Sequence, residues 1–106
     1  MAVTDRIGVD PARLEPLCDK WQVRELTAFG SVLREDFGED SDIDLLVSFR
    51  EGARWSLLDM VLMEEEFSAA LGRPVDLVSR RAVEDSRNYI RRRSILSSVE
   101  TVYVAR

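Results

Sequence analysis

The run DIDLLVSF, Asp42 to Phe49, constrains this chain more than any other. Leu45, Leu46 and Val47 are consecutive aliphatics, so a strand through them is apolar on both faces, as in the middle of a sheet. Asp42 and Asp44 stand at its head, two residues apart and therefore on one face, with α-carbons roughly 6.5 Å apart. Carboxylates beside a buried strand are costly to desolvate unless a partner compensates them. The question the sequence poses is what that partner is.

The flanking segments predict the rest of the domain. Asp10-Pro11 reads as a helix start, and Leu14, Leu17, Cys18 and Trp21 then fall on one helical face, with Pro16 expected to kink the helix or delay its start. Val23 to Phe29 reads as a strand whose apolar positions are imperfectly in phase, ended by Gly30-Ser31. A short helical turn is expected over 32–36 and a loop over 38–41. The longest helix is expected over Arg54 to Leu71, with Met60, Met63, Phe67 and Leu71 inward, Glu64 to Glu66 mostly on the wet side, and Gly72 as its stop. Val75 to Ser79 reads as a third strand. One last helix is expected from Val83 or Asp85 to about Ser98, and then TVYVA, a short edge strand or a loose tail. The order helix, strand, strand, helix, strand, helix gives a mixed α/β (α+β) domain: a small sheet with helices packed on it.

The 106 residues allow one domain, spanning residues 1–106, and one core. There is no histidine, which removes histidine bases, histidine metal ligands and Ser-His-Asp or Cys-His nucleophile pairs. Cys18 is the only cysteine, which excludes an intrachain disulfide and a cysteine zinc site. A net charge of -5 argues against nucleic-acid or anionic-membrane binding through bulk charge. The apolar runs fall far short of the roughly 20 residues of a membrane span, and the amino-terminal segment lacks signal-peptide features. A cytoplasmic location is expected. Chemistry in this chain must come from carboxylates, hydroxyls and arginines, with or without a hard metal ion.

Asp76 is a lone acid between Val75 and Leu77. If its strand pairs beside DIDLLVSF, three carboxylates meet, and their repulsion calls for a cation among them. Oxygen-only ligation suits Mg2+, or Mn2+, with substrate phosphates completing the coordination shell. Gly30 lets a phosphate approach the backbone, Ser31 offers a hydroxyl and N–H groups, and Arg34 follows one helical turn on. Together these predict metal-assisted in-line attack on phosphorus. Plainer readings exist for each residue: Asp76 pairing with Arg73 or Arg80, Ser31 as a helix cap, Arg34 as surface charge.

The stretch GSVLREDFGEDSDID resembles the Gly-Ser, ten residues, Asp-x-Asp signature of the DNA polymerase beta-type nucleotidyltransferase superfamily. FGSVLR and the later LGRPVDLVS look like the minimal nucleotidyltransferases, the MNT domain family, over about Val23 to Leu96. By that resemblance Gly30 and Ser31 hold the nucleoside triphosphate, Asp42 and Asp44 are metal ligands, and Asp76 is the third catalytic carboxylate. Glu35 stands where many relatives have glycine. The resemblance further implies ATP as substrate, a helical HEPN toxin as partner, and AMP transfer to a tyrosine hydroxyl of that toxin by an antitoxin. Two alternatives stay open: an antitoxin that only masks its partner, and nucleotidyl transfer to a small molecule. Assembly as a homo-oligomer or a hetero-oligomer is open too.

Overall fold

In the computed structural model, residues 11–30, 42–96 and 99–105 are described. Helix α1 (Pro11–Lys20) runs through Pro16 without interruption. An interior proline costs about 3 kcal/mol, here set against burial of Leu14, Cys18 and Trp21, which are 1%, 0% and 7% exposed. The expected later start is therefore not seen, because the apolar face outweighs the lost hydrogen bond. Asp10 lies outside the described residues.

Strands β1 (Val23–Phe29), β2 (Ile43–Phe49), β3 (Val75–Ser79) and β4 (Val99–Val104) form one sheet in the order β3-β2-β1-β4. β2 pairs antiparallel with β1 and parallel with β3, and β1 pairs antiparallel with β4. Both faces of β2 are covered, as its apolar run requires: Ile43, Leu45 and Val47 enter the main core, and Leu46 a smaller one on the other face. The phase defect in β1 is a register shift between Val23 and Glu25, which puts Val23, Leu26 and Ala28 all in the main core. TVYVA contributes to an edge strand.

Helix α2 (Leu57–Leu71) starts three residues later than the apolar periodicity suggests, because Ser56 caps it. The Ser56 hydroxyl accepts from the Asp59 N–H at 3.1 Å, and the Asp59 carboxylate accepts from the Ser56 N–H at 2.8 Å, a reciprocal capping box. Gly72 ends the helix at φ 69°, left-handed as expected. Two of the three glutamates are not simply wet. Glu64 accepts from the Leu77 N–H at 3.0 Å, tying α2 to β3, and Glu66 accepts from Lys20 and from the Trp21 indole. Trp55 packs edge-on against Trp21 at 5.1 Å and donates to its carbonyl, so it is a packing residue.

The single last helix expected from the sequence is two: α3 (Arg80–Glu84) and α4 (Tyr89–Leu96). Ser79 caps α3, and the chain then breaks where the Ser86 hydroxyl accepts the Asn88 N–H at 3.1 Å. Such local side-chain bonds compete with helical ones. Val83 of α3 and Ile95 of α4 close the smaller core over Leu46, so these two helices lie on the sheet face opposite α1 and α2. Among the described residues no helix is long and apolar enough to cross a membrane.

Candidate active site

Parallel pairing of β2 with β3 sets the site. Its register places Asp44 opposite Asp76, Ile43 opposite Val75 and Leu45 opposite Leu77. Because alternate residues face opposite ways, and the flanking aliphatics enter the main core, both carboxylates emerge on the α3–α4 face. Neighbouring strands lie about 4.8 Å apart, so two negative charges share one spot at the head of the parallel pair.

The carboxyl end of β1 arrives at the same spot, since Phe29 pairs with Asp44. Gly30 follows at φ 72°, a left-handed conformation open to glycine. A β-carbon at Gly30 would lie 2.5 Å from Asp44 Oδ2. The glycine thus does two things at once: it turns the chain and lets the Asp44 carboxylate lie against the backbone.

The carboxylates line a cleft of about 600 Å3 with Phe29 and Val78 from the sheet. Its far wall is Asn88, Ile90, Ser94 and Ile95, carried by α4 and the break before it. Among the described residues, no arginine or lysine lines it. Asp44 is half-buried and Asp76 exposed. Asp76 makes no ion pair among the described residues, and Arg80 is held by Glu25 at 3.2 Å and Glu84 at 3.9 Å, so the plain Asp76–Arg80 bridge does not form. Asp42 is exposed, two residues before Asp44, and is not among the cleft-lining residues. Ser31 and Arg34 lie outside the described residues.

The donor set fits a hard divalent ion that is shared with a substrate. Among the described residues, no three acidic or thiol side chains come close enough to enclose an ion by themselves. A carboxylate pair with Gly30 backbone beside it instead leaves coordination positions for phosphate oxygens, the usual magnesium arrangement. Asn88, Ile90 and Ser94 were not singled out in the sequence. The only signal for them is the polar cluster Ser86 to Asn88, a helix break whose consequence for the cleft is tertiary.

A profile of the family described as nucleotidyltransferase domain matches residues 14–101. The protein adenylyltransferase MntA of Thermococcus cleftensis is 41% identical over 73 residues, 69% of this chain and 72% of that one. A solved structure described as a candidate minimal nucleotidyltransferase superposes with TM-score 0.65 at 31% identity, covering 93% of this chain and 94% of the other. A tri-AMPylated HEPN toxin of Shewanella oneidensis in complex with its MNT antitoxin contains the same fold, TM-score 0.62 at 17% identity, over 93% and 73% of the two chains.

Proposed function

This chain belongs to the nucleotidyltransferase domain family, among its minimal members, and from that premise we propose that it transfers AMP from ATP to a hydroxyl of a partner protein. The partner of this reading is a HEPN-type toxin, the hydroxyl a tyrosine, and the chain its antitoxin. The observation that carries it is the pairing of Asp44 with Asp76 on adjacent parallel strands, both lining one cleft, with Gly30 against one carboxylate. Support for the acceptor comes from the adenylyltransferase name of the Thermococcus relative and from the AMPylated toxin in the Shewanella complex.

Asp44 and Asp76 would hold Mg2+, or Mn2+, together with the phosphates of ATP, with Asp42 as a further ligand once nucleotide is bound. A bound divalent ion supplies charge neutralisation on the triphosphate and on the phosphorus under attack. Gly30 gives the phosphates close access to backbone N–H groups, and Ser31 and Arg34 donate hydrogen bonds to their oxygens. The acceptor oxygen bonds to the α-phosphorus as the bond to the bridging oxygen breaks, and pyrophosphate leaves. Asp76, exposed on the cleft floor, takes the hydroxyl proton. Ile90 and Ile95 give the acceptor an apolar wall beside the carboxylates.

The test is incubation with ATP labelled at the α-phosphate, magnesium and the product of the neighbouring gene. Label on that protein's tyrosine, abolished by Asp44→Asn, is the expected result. Neutralisation of the toxin in cells by an Asp42→Ala, Asp44→Ala variant that transfers no label would instead establish masking.

A further inference from the structure

Helix α2 is apolar on two opposite sides. Met63, Phe67 and Leu71 are buried in the main core, whereas Leu57, Leu58, Val61 and Leu62 are 83%, 68%, 47% and 43% exposed. Their spacing of i, i+1, i+4 and i+5 makes one outward stripe. A helix that is apolar all round is normally covered on all sides, and contiguous exposed aliphatics mark an interaction surface. The capping box at Ser56 and Asp59 fixes the start of the stripe, so these side chains are carried on a rigid element.

We propose that the outer stripe of α2 is a docking face, and that its occupant is a helix of the partner protein whose aliphatic ridge is flanked by lysine and arginine. Who that partner is rests on the function proposed above; the chemistry of the face does not. Charge selects the occupant. Leu57 to Leu71 contains Asp59, Glu64, Glu65 and Glu66 and no basic residue, within a chain of net charge -5. Exposed Glu65 lies one turn beyond Val61, at the edge of the stripe. Glu64 and Glu66 turn to β3 and to Lys20, so Glu65 is the exposed acid at the stripe, and a second copy packed stripe to stripe would set this acidic helix against its own like charge. A cationic flank on the occupant turns the same acids into attraction. A straight row of aliphatic side chains on a helix packs best against the ridges of another helix.

The stripe lies on the sheet face opposite the Asp44–Asp76 cleft, because α2 covers the main core and α4 the smaller one. Docking there leaves the cleft open. Capture of the partner and transfer of the nucleotide are therefore separable by mutation.

Two synthetic helical peptides with the same leucine ridge, one flanked by lysines and one by glutamates, test this against the full chain by calorimetry. The lysine-flanked peptide is expected to bind, more weakly as salt rises, and the glutamate-flanked one not to bind. Leu58→Asp with Leu62→Asp adds negative charge yet is expected to weaken the lysine peptide at least tenfold, because the ridge is lost. Circular dichroism checks that this variant folds, and Leu58→Ser with Leu62→Ser replaces it if it does not. Equal binding of the two peptides, binding unchanged in the variants, or no binding overturns the proposal. So does a wild-type dimer in sedimentation that the variants convert to monomer, since the occupant is then a second copy. Peptide binding needs neither ATP nor metal, so its failure leaves the transfer reading standing, and absent label transfer leaves the docking face standing.

Discussion

Replacing Gly30 by alanine separates two effects that usually come together. The first is backbone strain: an L-residue at φ 72° is disfavoured by roughly 1–2 kcal/mol. The second is contact: the new β-carbon would sit 2.5 Å from Asp44 Oδ2, whereas ordinary contact begins at 3.4 Å, so the carboxylate must retreat by about 0.9 Å. Displacement of a positioning group by about 1 Å costs on the order of 100-fold in rate. Gly72 supplies the control. It has nearly the same φ, 69°, with nothing within 4 Å of its added β-carbon. Both alanine variants should lose about 1–2 kcal/mol, a fall in Tm of several degrees. Only Gly30→Ala should also lose about 100-fold in AMP transfer per folded molecule. Thermal melts with an α-phosphate label assay measure both quantities. Equal activity of the two variants, corrected for folded fraction, would refute the role given to the Gly30–Asp44 contact.

Further outcomes follow from the capping box and the buried thiol. Ser56→Ala removes the side chain that accepts the Asp59 N–H and should cost about 1 kcal/mol in denaturant unfolding while leaving label transfer intact. Burial, with the Asp19 carboxylate nearby, pushes the Cys18 thiol from 9.0 up to about 12. Below pH 9 the thiol is protonated in both folded and unfolded chains. Above it the unfolded chain releases the proton and the folded chain keeps it, so the thiol's contribution to stability declines from pH 9 to about 12. Denaturant midpoints across that range should fall less steeply in Cys18→Ala than in the wild type. A thiol reagent at pH 8 should label only unfolded protein.

Most of the domain could be read from local pattern, and most departures arise where elements meet. Periodicity finds α1, the β strands and the body of α2 because each buries one face against a common core. It does not find what two elements do to each other. The bulge between Val23 and Glu25 resolves the faulty phase of β1, but only pairing with β2 reveals it. The break at Asp85 to Asn88 depends on a serine hydroxyl capturing a backbone N–H, a short-range competition that helical periodicity ignores. Glu64 and Glu66 look solvated until β3 and the end of α1 bring Leu77 N–H, Lys20 and Trp21 to meet them. In the site, Asp42, Asp44 and Asp76 stand out because acids flanking apolar strands are rare and costly. That Asp44 rather than Asp42 faces Asp76 is a matter of register. The cleft wall of Asn88, Ile90 and Ser94 has no counterpart in any motif. It exists because α4 folds back over the carboxylates.

The central claim is that the Asp44–Asp76 pair takes up a divalent ion together with nucleotide. Calorimetric titration of Mn2+ in the presence of a non-hydrolysable ATP analogue tests it most directly, in the wild type and in Asp76→Asn. The account predicts uptake by the wild type and at least tenfold weaker uptake by a variant that melts at the same temperature or higher. Equal uptake by both proteins would contradict it.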